Sequence, residues 1–160
     1  MKETQLSFHL AVRTFVLCLL LASSGCTVKL IANYDESTDR AVTTLQRKLA
    51  TFFVDVESKL GTPDEAHENY IDTYKELRVD ISAIKLRVSA LPKNKITEDQ
   101  IEALENNMTL LETLHQTGFA IGNIEAKKQV LMDTQKSFDT SLAAILRLEL
   151  AKKRGDNGKE

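Results

Sequence analysis

Two histidines sit three residues after a carboxylate, in Asp64-x-x-His67 and Glu112-x-x-His115. On a helix that spacing puts acid and imidazole on one face. His67, His115, Asp64 and Glu112 together can close round a zinc or copper ion. Ordinary exposed polar residues are the plainer account of the same pattern. Tyr70 and Tyr74 stand at apolar-stripe positions nearby. Buried hydroxyls need partners, and His115 or Glu112 can supply one; a small-ligand pocket lined by the two rings is the alternative. Met132 with His115 offers the Met–His pair that can ligate haem, but no Cys-x-x-Cys-His is present and methionine at core spacing packs. There is no Gly-x-Ser-x-Gly, phosphate loop or His-Glu-x-x-His. The sequence therefore points away from an enzyme.

The third candidate is a thiol. Residues 1–13 are a polar leader with Lys2 and Arg13 offset by Glu3, and 14–22 are a short apolar run. That run suits a secretory core and falls far short of the roughly 20 residues that span a bilayer. Ser23, Ser24 and Gly25 then lead to Cys26. This stretch resembles the lipobox of bacterial lipoproteins, and the chain as a whole is similar to the small, mostly uncharacterised members of that class. The likeness implies that residues 1–25 are cut away and that Cys26 carries a diacylglycerol and a fatty acid. Most lipoboxes have Leu where Ser23 stands, so cleavage at Gly25 to release a soluble chain is the alternative. Cys18 leaves with the signal, so the mature chain has no disulfide and depends on its core.

Four amphipathic segments must position these groups. Val42, Leu45, Leu49, Phe52, Val56 and Leu60 recur at steps of three and four, which predicts a helix over 35–60 ended by Gly61. Thr62-Pro63-Asp64-Glu65 is a helix start, and the stripe from Tyr70 through Tyr74, Leu77, Ile81, Ile84 and Val88 runs to Pro92. Thr97-Glu98-Asp99-Gln100 reads as a capping box opening a third helix to about 117, with Ile101, Leu104, Met108, Leu111 and Leu114 inward. Phe119 and Ile121 fold over the core from the next turn. Asn123 caps a fourth helix to about 153, with Ile124, Leu131, Phe138, Leu142 and Ile145 inward.

Short connections make this an all-α, up-down-up-down antiparallel four-helix bundle after a cleaved signal peptide. Ferritin-like di-iron bundles use two Glu-x-x-His motifs mid-core; here one motif has Asp, and both fall at a bundle end. The divisions expected are signal peptide 1–25, lipidated tether 26–34, bundle 35–154 and disordered tail 155–160.

That topology gathers Lys29, Lys93, Lys95, Lys152, Lys153 and Arg154 at the membrane end, where cations meet anionic head groups. Asp55, Glu57, Asp64, Glu65, Glu68 and Glu112 collect at the far end. Acids at helix starts and bases at helix ends produce the same trend by complementing helix dipoles. The whole chain carries a formal charge of −2. Without Lys2, Arg13 and Glu3 it has 19 cations against 22 anions, or −3, which excludes a general nucleic-acid binder.

The expectation is a lipid-anchored protein of the bacterial cell envelope, a non-enzymatic interaction or structural module. Its partners are membrane lipid through Cys26 and an envelope protein, with no cofactor beyond the acyl groups. Thr27 follows the cysteine where aspartate is the usual inner-membrane retention signal. The lipobox likeness therefore implies an outer-membrane location facing the periplasm. A metal- or small-ligand-binding bundle is the alternative.

Overall fold

The computed structural model describes residues 31–119 and 122–157. Four α-helices run in order: α1 (Glu36–Lys59), α2 (Ile71–Ala90), α3 (Lys95–Gln116) and α4 (Ile124–Asn157). Two 3-10 turns, Pro63–Glu65 and His67–Tyr70, lead into α2. No strand occurs among the described residues. Each helix packs against two neighbours, α1 on α2 and α4, and α3 on α2 and α4. The result is the expected all-α four-helix bundle.

The apolar stripes meet along one axis. Val42, Leu45, Leu49 and Val56 of α1 are buried with Leu77, Ile81 and Val88 of α2, Leu104 and Met108 of α3, and Phe138 and Ile145 of α4. Burying each such side chain contributes about 1.5–3 kcal/mol before chain entropy is counted. Asp35 caps α1 by accepting from Thr38 N at 3.1 Å. Gly61 ends α1 at φ +80°, the left-handed conformation that glycine adopts without steric cost.

Three boundaries differ from expectation. The segment 62–70 is not α-helical from its start. Ala66 is extended (φ −62°, ψ 138°), so the chain makes two separate 3-10 turns before α2. The proposed capping box at Thr97 does not form, because α3 begins at Lys95 and Thr97 is already helical and buried within the first turn. Finally, α4 continues to Asn157, so residues 155–157, expected to fray, are helical. Asn123 does cap α4, accepting from Ala126 N at 3.0 Å. Ile124, expected inward, is exposed and packs over Gly61.

Candidate functional site

The distal cluster is organised by His115. It stands four residues after Leu111 on the inner face of α3 and is only 2 % exposed. That overturns the reading of His115 as an exposed polar residue; His67 is half-buried, its side chain 13 % exposed. The turn after α3 builds the rest. Phe119 N donates to Leu114 O at 2.7 Å and Gly118 N to His115 O at 2.9 Å. This is a Schellman ending with Gly118 left-handed (φ +61°). It turns the Phe119 ring back onto the imidazole, stacked with centroids 4.7 Å apart. Phe52 and Tyr70 complete an aromatic box around His115.

Both imidazole nitrogens are engaged. Nε2 lies 2.6 Å from the Glu65 carbonyl, which only accepts, so Nε2 carries the proton. Nδ1 then accepts from the Tyr74 hydroxyl at 2.9 Å. Burial holds the His115 pKa below its ordinary value. Burial likewise pushes the Tyr74 phenol well up, with the Glu112 charge adding to it. The group at the centre of this site is a neutral, fully hydrogen-bonded imidazole.

His67 lies beside it, with ring centroids 5.7 Å apart. Its Nε2 is 3.4 Å from Glu112 Oε1, while Arg78 holds Glu112 Oε2 through Nε at 2.9 Å and Nη2 at 2.5 Å. Burial opposes the charge on Glu112, but the Arg78 hydrogen bond and charge outweigh it and keep that carboxyl low. Asp64 stays exposed on the first 3-10 turn. The structure thus joins His67, His115 and Glu112 but leaves Asp64 outside. Among the described residues no group of three or more His, Cys, Asp or Glu is arranged to hold a metal ion. A metal at His115 would have to displace the tyrosine or the carbonyl. A cavity of about 290 Å³ opens here, lined by His67, His115, Glu65, Thr62 and Phe119. Tyr70 turns instead to Asp55, donating at 2.8 Å.

The opposite end holds a second polar cluster that the sequence reading missed. Lys152, expected at a basic surface, is 3 % exposed and points inward. Its ammonium donates to Asn94 Oδ1 at 2.7 Å, Thr97 Oγ1 at 2.9 Å and Glu149 Oε1 at 2.5 Å. Glu149 is itself fully buried, at 0 %. Three donors meet three acceptors, which is what lets a lysine leave water. Of the other basic-end residues, Lys95 is exposed and paired with Asp99, Lys153 lies over the Tyr34 ring, and Lys93 and Arg154 are exposed. Lys29 and Cys26 lie outside the described residues.

A strap, residues 31–35, crosses this end. Lys93 is left-handed (φ +63°), and its carbonyl accepts from Ala32 N at 3.0 Å. Tyr34 N donates to Asp156 Oδ2 at 2.8 Å, and the Tyr34 hydroxyl to Asp39 at 2.8 Å. That bond pushes the Tyr34 pKa up to about 12. Arg87 grips Asp35 through Nε at 2.5 Å and Nη2 at 2.7 Å. The Arg87 bond, aided by Thr38 and opposed by burial, holds the Asp35 carboxyl well below the usual carboxylate range.

The axial charge separation is weaker than expected. At the far end Lys59 pairs with Asp55, Lys128 with Glu57, Lys127 with Glu65 and Arg78 with Glu112. Among the described residues no helix is long and apolar enough to cross a membrane. No known protein family, curated protein or solved structure matches the chain.

Proposed function

We propose that this chain is a lipid-anchored protein of the bacterial cell envelope, tethered through Cys26, whose bundle engages another envelope protein without catalysis. The strap carries this reading. Five residues separate Cys26 from the buried Ala32. The linking chain therefore reaches at most about 20 Å. A short link ending in a docked strap suits a bundle mounted close to a surface, with its helix faces turned sideways to a partner. The proposed location is the periplasmic face of an outer membrane, on the Thr27 argument above.

Crosslinking in intact envelopes, comparing wild type with Cys26→Ala, tests this. One dominant protein adduct, lost in the variant, is expected. A chain that stays soluble in the wild type, or no adduct in either sample, contradicts it.

The distal cavity favours a second reading, binding of a small polar ligand against His67 and the Glu65 carbonyl region. Its lining combines imidazole, carboxylate and hydroxyl groups with the Phe119 ring. A ligand screen read by thermal melting separates the two readings, since only ligand binding raises the melting temperature of the isolated protein.

A further inference from the structure

We infer that the distal cavity takes a small organic ammonium ion, whose charge is met by Glu68. This ligand class deepens the second reading above, binding of a small polar ligand at that cavity, and rests on it.

The donors around the cavity are largely spent. The Thr62 hydroxyl donates to Lys59 O at 2.7 Å and accepts from Asp64 N. His115 gives its one proton to the Glu65 carbonyl, and His67 turns Nε2 toward Glu112. The acceptors are not spent. Glu65 and Glu68 both line the cavity, and no lysine or arginine does. Glu65 is held by Lys127 and by Gly61 N. Glu68 is exposed and forms no hydrogen bond or ion pair among the described residues. The nearest bases are committed elsewhere, Lys127 to Glu65 and Arg78 to Glu112.

The backbone adds to the negative field. α1 ends at Lys59 and α3 at Gln116, and the residues just beyond those ends line the cavity: Thr62 on one side, Gly118 and Phe119 on the other. Helix carboxyl ends carry partial negative charge. α2 and α4 begin at this end of the bundle, but neither contributes a lining residue. The field reaches the floor. Burial lowers the His115 pKa and the nearby His67 adds to that, while the charges of Glu65 and Glu68 pull the other way.

Shape selects the kind of cation. The cavity of about 290 Å³ lies at the low end of the roughly 300–1,000 Å³ of ligand sites, so it suits a molecule of few heavy atoms. The stacked rings of His115 and Phe119 form its floor. An aromatic floor takes methylene groups and attracts an adjoining ammonium. Among the described residues no group of His, Cys, Asp or Glu is arranged for a metal ion, so the charge that fits is an organic one.

The test titrates the full mature chain at pH 8 with n-butylammonium, butyrate and butanol, three molecules of similar size and different charge. Sodium chloride controls for ionic strength, and backbone amide chemical shifts are the readout. Saturable shifts at His67, Glu68, Gly118 and Phe119 are expected with n-butylammonium alone. Its Kd should rise at least about tenfold in Glu68→Gln. It should stay unchanged in Asp64→Asn, which removes an exposed acid of the same turns that does not line the cavity. Glu68 is unbonded, so an unchanged thermal melt confirms that Glu68→Gln folds. Binding of butyrate or butanol in place of the amine overturns the ligand class and leaves the cavity reading standing. Equal weakening in both variants, or none in Glu68→Gln, overturns the role of Glu68. Saturation by none of the three overturns both the ligand class and the cavity reading.

Discussion

Tyr74 donates its hydroxyl to Nδ1 of His115 across 2.9 Å, joining α2 to α3 at the distal end. With the Glu65 carbonyl on Nε2, this bond fixes a neutral imidazole inside a ring of aromatic side chains. The stability of the fold is therefore tied to the protonation of one buried group.

The sign follows from linkage. His115 has a depressed pKa when folded and titrates near 6.5 when unfolded. As pH falls through 6.5, the unfolded chain takes up the proton before the folded one, so stability decreases. At higher pH both states are neutral and this contribution is constant. Urea unfolding between pH 7.5 and 5 should show a falling midpoint in wild type and a flatter profile in His115→Gln. Identical profiles contradict the assignment.

At the other end, Lys152 and Glu149 are each buried and rely on one another. Lys152→Met should destabilise by about 3–5 kcal/mol, because it strands a carboxylate in the core. Lys152→Met/Glu149→Leu should recover most of that loss, since a packed apolar pair replaces the ions without an orphan. Urea midpoints at constant slope measure both. A double variant no better than the single one contradicts this account of the pair.

These two clusters also show where the sequence was legible. The bundle followed from Val42, Leu45, Leu77, Ile81, Leu104 and Phe138, because apolar period alone specifies which faces meet. The polar members were missed because they occupy that same period. Thr97 precedes Ile101 by four, His115 follows Leu111 by four, and Glu149 and Lys152 continue the steps from Ile145. Their spacing marked them as inward, but their chemistry argued for a cap, an exposed ligand and a basic surface. Only the neighbours that satisfy them, such as Asn94 for Lys152, decide the matter, and those lie 58 residues away in sequence. That Tyr74 needs a partner, His115 or Glu112, was legible from its hydroxyl and stripe position; the choice of His115, and the turn of Tyr70 to Asp55, was not.

Gly61 should be sensitive to substitution. Its φ is +80°, and a Cβ there would lie 2.6 Å from Ile124 Cδ1. Gly61→Ala should cost about 1 kcal/mol from the backbone, with the clash adding to it. Gly118→Ala, left-handed but with open space around it, should cost less. Thermal melts of the two variants rank them, and the reverse order contradicts the packing at the α1 end.

The strap makes a dynamic prediction. Asp156→Ala removes the acceptor of Tyr34 N and should raise amide exchange at Tyr34 and Ala32 while leaving the centre of α1 unchanged. Unaltered exchange at both amides contradicts a strap held by α4.

The proposed anchor at Cys26 is decided by the mass of the amino-terminal peptide of the mature protein. A chain beginning at Cys26 with a diacylglycerol and a fatty acid attached is expected, and no such adduct in Cys26→Ala. A mature chain with an unmodified Cys26, or one that retains residues 1–25, contradicts it.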